Sequence, residues 1–312
     1  MKNYIEYYIQ EGDGQGYSIK AKELTIDEAV DYQTKYKVLS RKFEIENIFD
    51  VFIEEFKRFK GILYESQLSQ EMDSHSGLSA NIEDHRTRTK LNVSYLGVLN
   101  TGKLLLDRLY YENKEGDSVS SIIKEIDESV LAAFKKVRDR VFVNNNFYAF
   151  ACKYRNLCQH KLLPINLLII YENLNKKISK FSIPLELNSL RTKDRRELFS
   201  KLNTDFKESI KRERRIDLNH VIDGYFEGIF DLMIGLRELV KSAVNEAESF
   251  LNNNDDNIGK QVKKPVLYID KKEVFNFNLE WFEVAHFLER KNSTYFKSSQ
   301  VTRTQYIEEP KT

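Results

Sequence analysis

A mainly α fold is what this sequence predicts: a helical bundle with small β appendages, α+β overall. Three observations carry that expectation. Long stretches at 82–112, 119–143 and 216–251 place apolar residues at the 3, 4, 7 spacing of a buried helical stripe. Strand formers gather instead in short segments near both ends and at 165–187. Only 4 Pro and 12 Gly interrupt 312 residues, so disorder is not the main expectation.

In chain order, Tyr4, Ile5, Tyr7, Tyr8 and Ile9 read as a strand, paired with a second before residue 22 across Gly12-Asp13-Gly14-Gln15-Gly16. Those glycines match no phosphate-binding pattern, so a hairpin turn is the reading. Thr25 and Glu28 form a capping box for a short helix, and Ser40 starts another whose stripe is Phe43, Ile48, Phe52, Phe56, Phe59 and Leu63. Residues 70–80 read as a polar loop with His75 exposed. A long helix follows over 82–112, a break at 113–118, and a second long helix over 119–143. Asn144-Asn145-Asn146 stops that helix and offers an N-cap to a shorter one, which Pro164 closes. A β-hairpin is expected over 165–187 with Pro184 toward an edge, then basic helical segments over 194–215. A long helix over 216–251 ends in an Asn/Asp run. The hairpin at 266–269 and 274–277, a helix over 280–290 and a loose tail complete the chain. The N-terminal strands and late hairpins either meet in one small sheet or stand as separate appendages. The segments group as 1–80 packing on the bundle, 81–252 as the helical core with the 165–187 insertion, and 253–312 as hairpin, helix and tail.

Composition removes several classes. The net charge is +1, so there is no global pull toward nucleic acid and any basic patch is local. Cys152 and Cys158, the only two cysteines, sit six apart on one helix, project differently and cannot bridge each other there. There is no disulfide framework and no cysteine-based zinc site. The N-terminus lacks the apolar core of a signal peptide, and no run of about 18 apolar residues exists to span a membrane. A reducing, cytoplasmic setting is the expectation. His75 and His85, with Asp73, Glu83 and Asp84 nearby, form a carboxylate–histidine cluster that could bind a divalent ion, but no compact metal-ligand spacing occurs and ordinary solvated loop chemistry is the reading. His286, beside a Trp-Phe pair, reads as packed. No metal or cofactor is assigned.

The most informative stretch is Arg155-Asn156-Leu157-Cys158-Gln159-His160. Imidazole gives or takes a proton near pH 7. Guanidinium holds a phosphate and stabilises charge that builds on it. Phe147, Phe150, Ala151, Tyr154, Leu157 and Cys158 form one apolar stripe; Asn156 and His160, i and i+4, fall nearly opposite it, with Arg155 at the flank and Lys153 on the polar face. One reading is a catalytic face presented to a symmetry-related copy. The other is a solvated polar face near a helix C-terminus, where the dipole also favours His. A second stretch, Arg215-Ile216-Asp217-Leu218-Asn219-His220, has the same spacing with isoleucine after the arginine, and is read as a chance match.

The Arg155-Asn156-x3-His160 stretch resembles the signature of the HEPN superfamily: Arg, a polar residue, three to five more, then His. The likeness is carried by those six residues, with helices over 81–163 and 216–252 of the kind such a domain requires. It implies a helical-bundle ribonuclease, usually a homodimer, common in toxin–antitoxin and phage-defence systems. With no evident metal cluster in the sequence, the ribose 2′-hydroxyl is the natural nucleophile, and metal-independent endonucleolytic cutting to 2′,3′-cyclic phosphate ends is the expectation. Arg155, His160 and Asn156 would be the catalytic residues, and an antitoxin or regulatory protein a further partner. Some HEPN-like proteins only bind RNA, a nucleotide or a protein. Lys153, Lys161, Lys135 and Lys136 are weaker candidates for RNA contact. Basic clusters at 135–140, 191–196 and 211–215 are each interleaved with acids, so a solvated helix face is the default for each.

Overall fold

The computed structural model describes residues 3–11, 16–72, 77–112, 118–173, 178–255, 262–269, 272–276 and 281–293. They form a mainly α protein with small antiparallel β pieces. Two compact units divide the chain. One comprises the described residues of 1–50, 108–131 and 239–312, the other those of 51–107 and 132–238. This partition cuts across the three segments read from sequence.

In the first unit, β1 (Asn3–Glu11) and β2 (Gly16–Leu24) pair antiparallel with Ile5 opposite Lys22. β1 also pairs with β9 (Val262–Ile269), which pairs with β10 (Lys272–Asn276), giving the order β10-β9-β1-β2. The N-terminal strands and the C-terminal hairpin therefore do share one sheet. The 165–187 hairpin does not join it. Ile5, Val266 and Leu267 are buried. The capping box is present: Thr25 N–H donates to Glu28 Oε2 at 2.8 Å and Glu28 N–H to Thr25 Oγ1 at 3.2 Å. What it starts is α1 (Ile26–Met72), one continuous helix, where two were expected. Ser40 lies inside it because no Gly or Pro interrupts the neighbourhood and Val38, Leu39 and Ile45 keep burying the same helix. Tyr32 meets Phe250 edge-on at 5.1 Å, and Phe43 meets Trp281 of helix 281–293 at 5.0 Å. His286, half-buried on that last helix, packs beside Lys42 and donates from Nε2 to Glu248 at 2.8 Å.

The second long helix is in fact two, α3 (Ile122–Ile126) and α4 (Val130–Asn144). Asp127 takes the N–H and hydroxyl of Ser129 at 2.8 and 2.7 Å, a local turn that competes with helical bonding. Val119 and Ser120 belong to a short strand, β4 (Ser118–Ser120), paired with β3 (Tyr111–Glu112), so the preceding helix α2 (Gly77–Leu109) starts and ends earlier than read. The polar loop of 70–80 is mostly helical; His75 and Asp73, like 113–117, Phe277 and the tail beyond 293, lie outside the described residues.

The second unit is a bundle of the later part of α1, α2, α4, α5 (Asn146–His160) and the earlier part of α8 (Leu218–Asp255). Its interior is aromatic. Phe56 stacks on Phe226 at 4.1 Å, Tyr148 on Tyr225 at 5.8 Å, and Phe59 meets Tyr95 edge-on at 5.4 Å. The buried phenols are satisfied by carbonyls: Tyr95 donates to Leu218 O at 3.3 Å and Tyr154 to Pro164 O at 2.7 Å. The hairpin is β5 (Ile169–Asn173) with β6 (Ile178–Ser182). The rest of its expected second arm, β7 (Pro184–Glu186), pairs instead with β8 (Arg215–Asp217), across α6 (Thr192–Phe199) and α7 (Thr204–Glu213).

Helices α5 and α8 approach closely. A Cβ at Gly224 would collide with Phe147, and one at Gly228 with the Tyr148 ring. Gly228→Ala should therefore lose about 1–3 kcal/mol by overpacking, although alanine alone favours a helix. Urea unfolding followed by circular dichroism measures this; a variant more stable than the parent would refute the close approach.

Candidate functional site

Helix α5 begins where Asn145 caps it. The Asn145 side chain accepts the Tyr148 N–H at 2.9 Å and donates to Gly224 O at 3.0 Å, so the cap also ties α5 to α8. Phe150, Ala151, Tyr154, Leu157 and Cys158 are buried. The Tyr154 bond to Pro164 fixes the chain just past the helix end. Asn156, Gln159 and His160 are exposed. The helix stops at His160, and Lys161 caps it with its N–H on Leu157 O at 2.9 Å.

Arg155 is half-buried at the flank. One Nη1 donates to Asn156 Oδ1 at 3.2 Å, while its Nε is enclosed without a partner. Its charge faces Tyr225, whose hydroxyl burial pushes well above its ordinary range against the opposing effect of Arg155. On the same flank, Gln159 donates to Asn100 of α2 at 3.1 Å. Around the helix axis Arg155 and His160 are separated by about 140°, from roughly 100° per residue. His160 has no hydrogen-bond or ion-pair partner among the described residues. One chain thus links Arg155 to Asn156 and leaves the imidazole open to solvent.

The lysines fare differently. Lys153 is half-buried on α5. Lys135 and Lys136 are exposed on α4. Lys161 is not a free cation: it pairs at 2.5 Å with Asp194, which also receives Arg191 at 3.0 Å. Asp194 is a buried carboxylate, 4% exposed, and sequence reading did not single it out. The Lys161 hydrogen bond, opposed by burial and helped by Arg191, holds it below the ordinary carboxylate range. At the other end of α5, Asn146 Oδ1 accepts the Asn203 N–H at 2.9 Å. Asp194 is in the first turn of α6 and Asn203 follows its last, so α6 lies antiparallel beside α5. The basic cluster brought to the motif is therefore 191–196.

The second Arg–His stretch is split. Arg215 is on β8, and His220 on the first turn of α8, its ring 6.2 Å from Phe147. Asn219 accepts from Lys60 at 2.5 Å. The two thiols are pushed by burial up to about 12, which keeps them protonated and poor nucleophiles. No group of three His, Cys, Asp or Glu side chains of metal-site geometry occurs among the described residues, and none of their helices is long and apolar enough to cross a membrane. Glu83 and Asp84 pair with Arg86 and Arg88 along α2. A cavity of about 610 Å³, lined by Glu65, Ser69, Thr87, Lys90 and Phe181 among others, includes none of Arg155, Asn156 or His160. No protein-family model, curated protein or solved structure matches this chain.

A carboxylate held below its ordinary range stabilises the fold at neutral pH, and that contribution fades as pH falls through the lowered value. Asp194→Asn should thus lower the melting temperature at pH 7, and the gap to the parent should close in strong acid. Melting curves across pH check this; a gap that widens on acidification contradicts the bridge.

Proposed function

We propose that the chain is a metal-independent endoribonuclease in which His160 transfers protons and Arg155 holds the scissile phosphate. The observation that supports it best is the open imidazole at the end of α5, one turn from Asn156, which is itself bonded to Arg155. The 2′ oxygen attacks the adjacent phosphorus and its proton passes to an imidazole. The P–O5′ bond breaks, the 5′ oxygen takes up a proton, and the products are a 2′,3′-cyclic phosphate and a 5′-hydroxyl. Asn156 orients its neighbours. Lys153, Lys135 and Lys136 are further RNA contacts. A toxin or phage-defence effector, cytoplasmic and held by an antitoxin or regulatory protein, is the setting this chemistry suits.

Because Arg155 and His160 diverge on one helix, the site is completed by a second copy whose α5 faces the first. A two-fold axis then sets two arginines and two histidines around one groove. Light scattering should give about twice the monomer mass; a strict monomer at micromolar concentration would count against it. The same divergence also fits a non-catalytic HEPN-like module that binds RNA, a nucleotide or a protein.

Cleavage assays decide between them. His160→Ala and Arg155→Ala should each lower RNA cutting by roughly 10²-fold or more, and Asn156→Ala by less. Arg215→Ala and His220→Ala should leave it largely intact. Cutting should persist in EDTA and spare a 2′-deoxy position. A strict magnesium requirement rules out this mechanism, and absence of cutting in the parent leaves the binding module.

A further inference from the structure

We infer that the outer side of α6 is a phosphate-backbone track that leads single-stranded RNA to His160; this deepens the ribonuclease reading and rests on it for its direction. Residues 191–201 hold five basic residues against two acidic ones, in a chain whose total charge is only +1. One of those acids, Asp194, is buried and already shared by Lys161 and Arg191. The other, Glu197, is exposed.

Lys193 and Arg196 are exposed, stand i and i+3 on one face, and have no ion-pair partner among the described residues. Arg191, despite its bond to Asp194, keeps a side chain 73% exposed. The Asp194 bridge anchors this end of α6 beside the residue that follows His160. The bridge thus holds the first turn of α6, which carries these cations, against the end of α5. The spacing of charges without base-reading geometry suits a backbone, not a sequence.

An anionic membrane is the less suitable partner. A helix lying on lipid needs an exposed apolar face. The exposed side of α6 is Thr192, Lys193, Arg196 and Glu197, and its Leu198 is buried at 1% exposure.

The test uses the full chain and a fluorescent single-stranded oligonucleotide with 2′-O-methyl riboses, which cannot be cut. Binding is read by anisotropy across a salt series. Lys193→Ala combined with Arg196→Ala should weaken binding on the order of tenfold and lower the salt slope by about 1.4, from about 0.7 per phosphate on a single strand. Arg58→Ala with Arg86→Ala, a charge-matched change on exposed helix surface, should leave both unchanged. If the α6 variant binds as the parent does, or the control loses as much, the track is refuted even where His160→Ala abolishes cutting. If the oligonucleotide binds through α6 while the parent cuts no RNA, the track stands and the nuclease fails. A parent that binds vesicles of anionic lipid and not the oligonucleotide overturns the inference.

Discussion

The placement of α5 depends on two missing side chains. At Gly224 and Gly228, one turn apart, α8 has no Cβ, and Phe147 and Tyr148 occupy that space. The short distance lets Asn145 reach the Gly224 carbonyl while capping its own helix, so one amide both starts α5 and docks it. The stack of Tyr148 on Tyr225 then fixes rotation about the helix axis. Once that rotation is set, the geometry of the helix leaves Asn156 and His160 nowhere to point but outward. The chemistry proposed for the imidazole is downstream of a packing decision made about three and a half turns earlier.

Burial and bonding then sort the ionisable groups by job. The tyrosines of the core are protonated, their hydroxyls spent where possible on carbonyls, and the thiols of α5 are pushed up to about 12. They hold the bundle. Lys161 and Arg191 share one buried carboxylate and hold the end of α5 against α6. His160 has no hydrogen-bond or ion-pair partner among the described residues, so under the proposal its ring is open to a substrate. Arg155 is intermediate: tethered to Asn156, with an enclosed Nε that makes no bond. That enclosed atom is a cost the fold carries, and a site that recruits the guanidinium has reason to carry it.

Local signals were legible and non-local ones were not. The Thr25–Glu28 box, the Asn145 cap and the apolar stripe of α5 each lie within a few residues, so composition and period suffice to read them. The break at Asp127 was hidden because an Asp and a Ser two apart look like ordinary surface of a helix until their side chains turn on the backbone. Pairing of Pro184–Glu186 with Arg215–Asp217, and the bridge from Lys161 to Asp194, join residues about 30 apart. No period announces such contacts. The i, i+4 glycines of α8 were in plain sight, yet only the facing Phe147 and Tyr148 give them meaning.

The two Arg–His stretches share a spacing and differ in their surroundings. Both have the same separation. In one, all six residues are helical, and the last turn presents Asn156 and His160 on one exposed side. In the other, a strand gives way to a helix between the arginine and the histidine, and Ile216, Leu218 and Val221 are drawn into the core. Isoleucine in place of asparagine decides this: a β-branched apolar residue belongs to a strand and an interior, and Ile216 pairs opposite Leu185 there. A polar second residue keeps the helix face wet and supplies a hydrogen-bond partner for the guanidinium. The two stretches differ in their surroundings at that one position, more than in the count of residues to histidine.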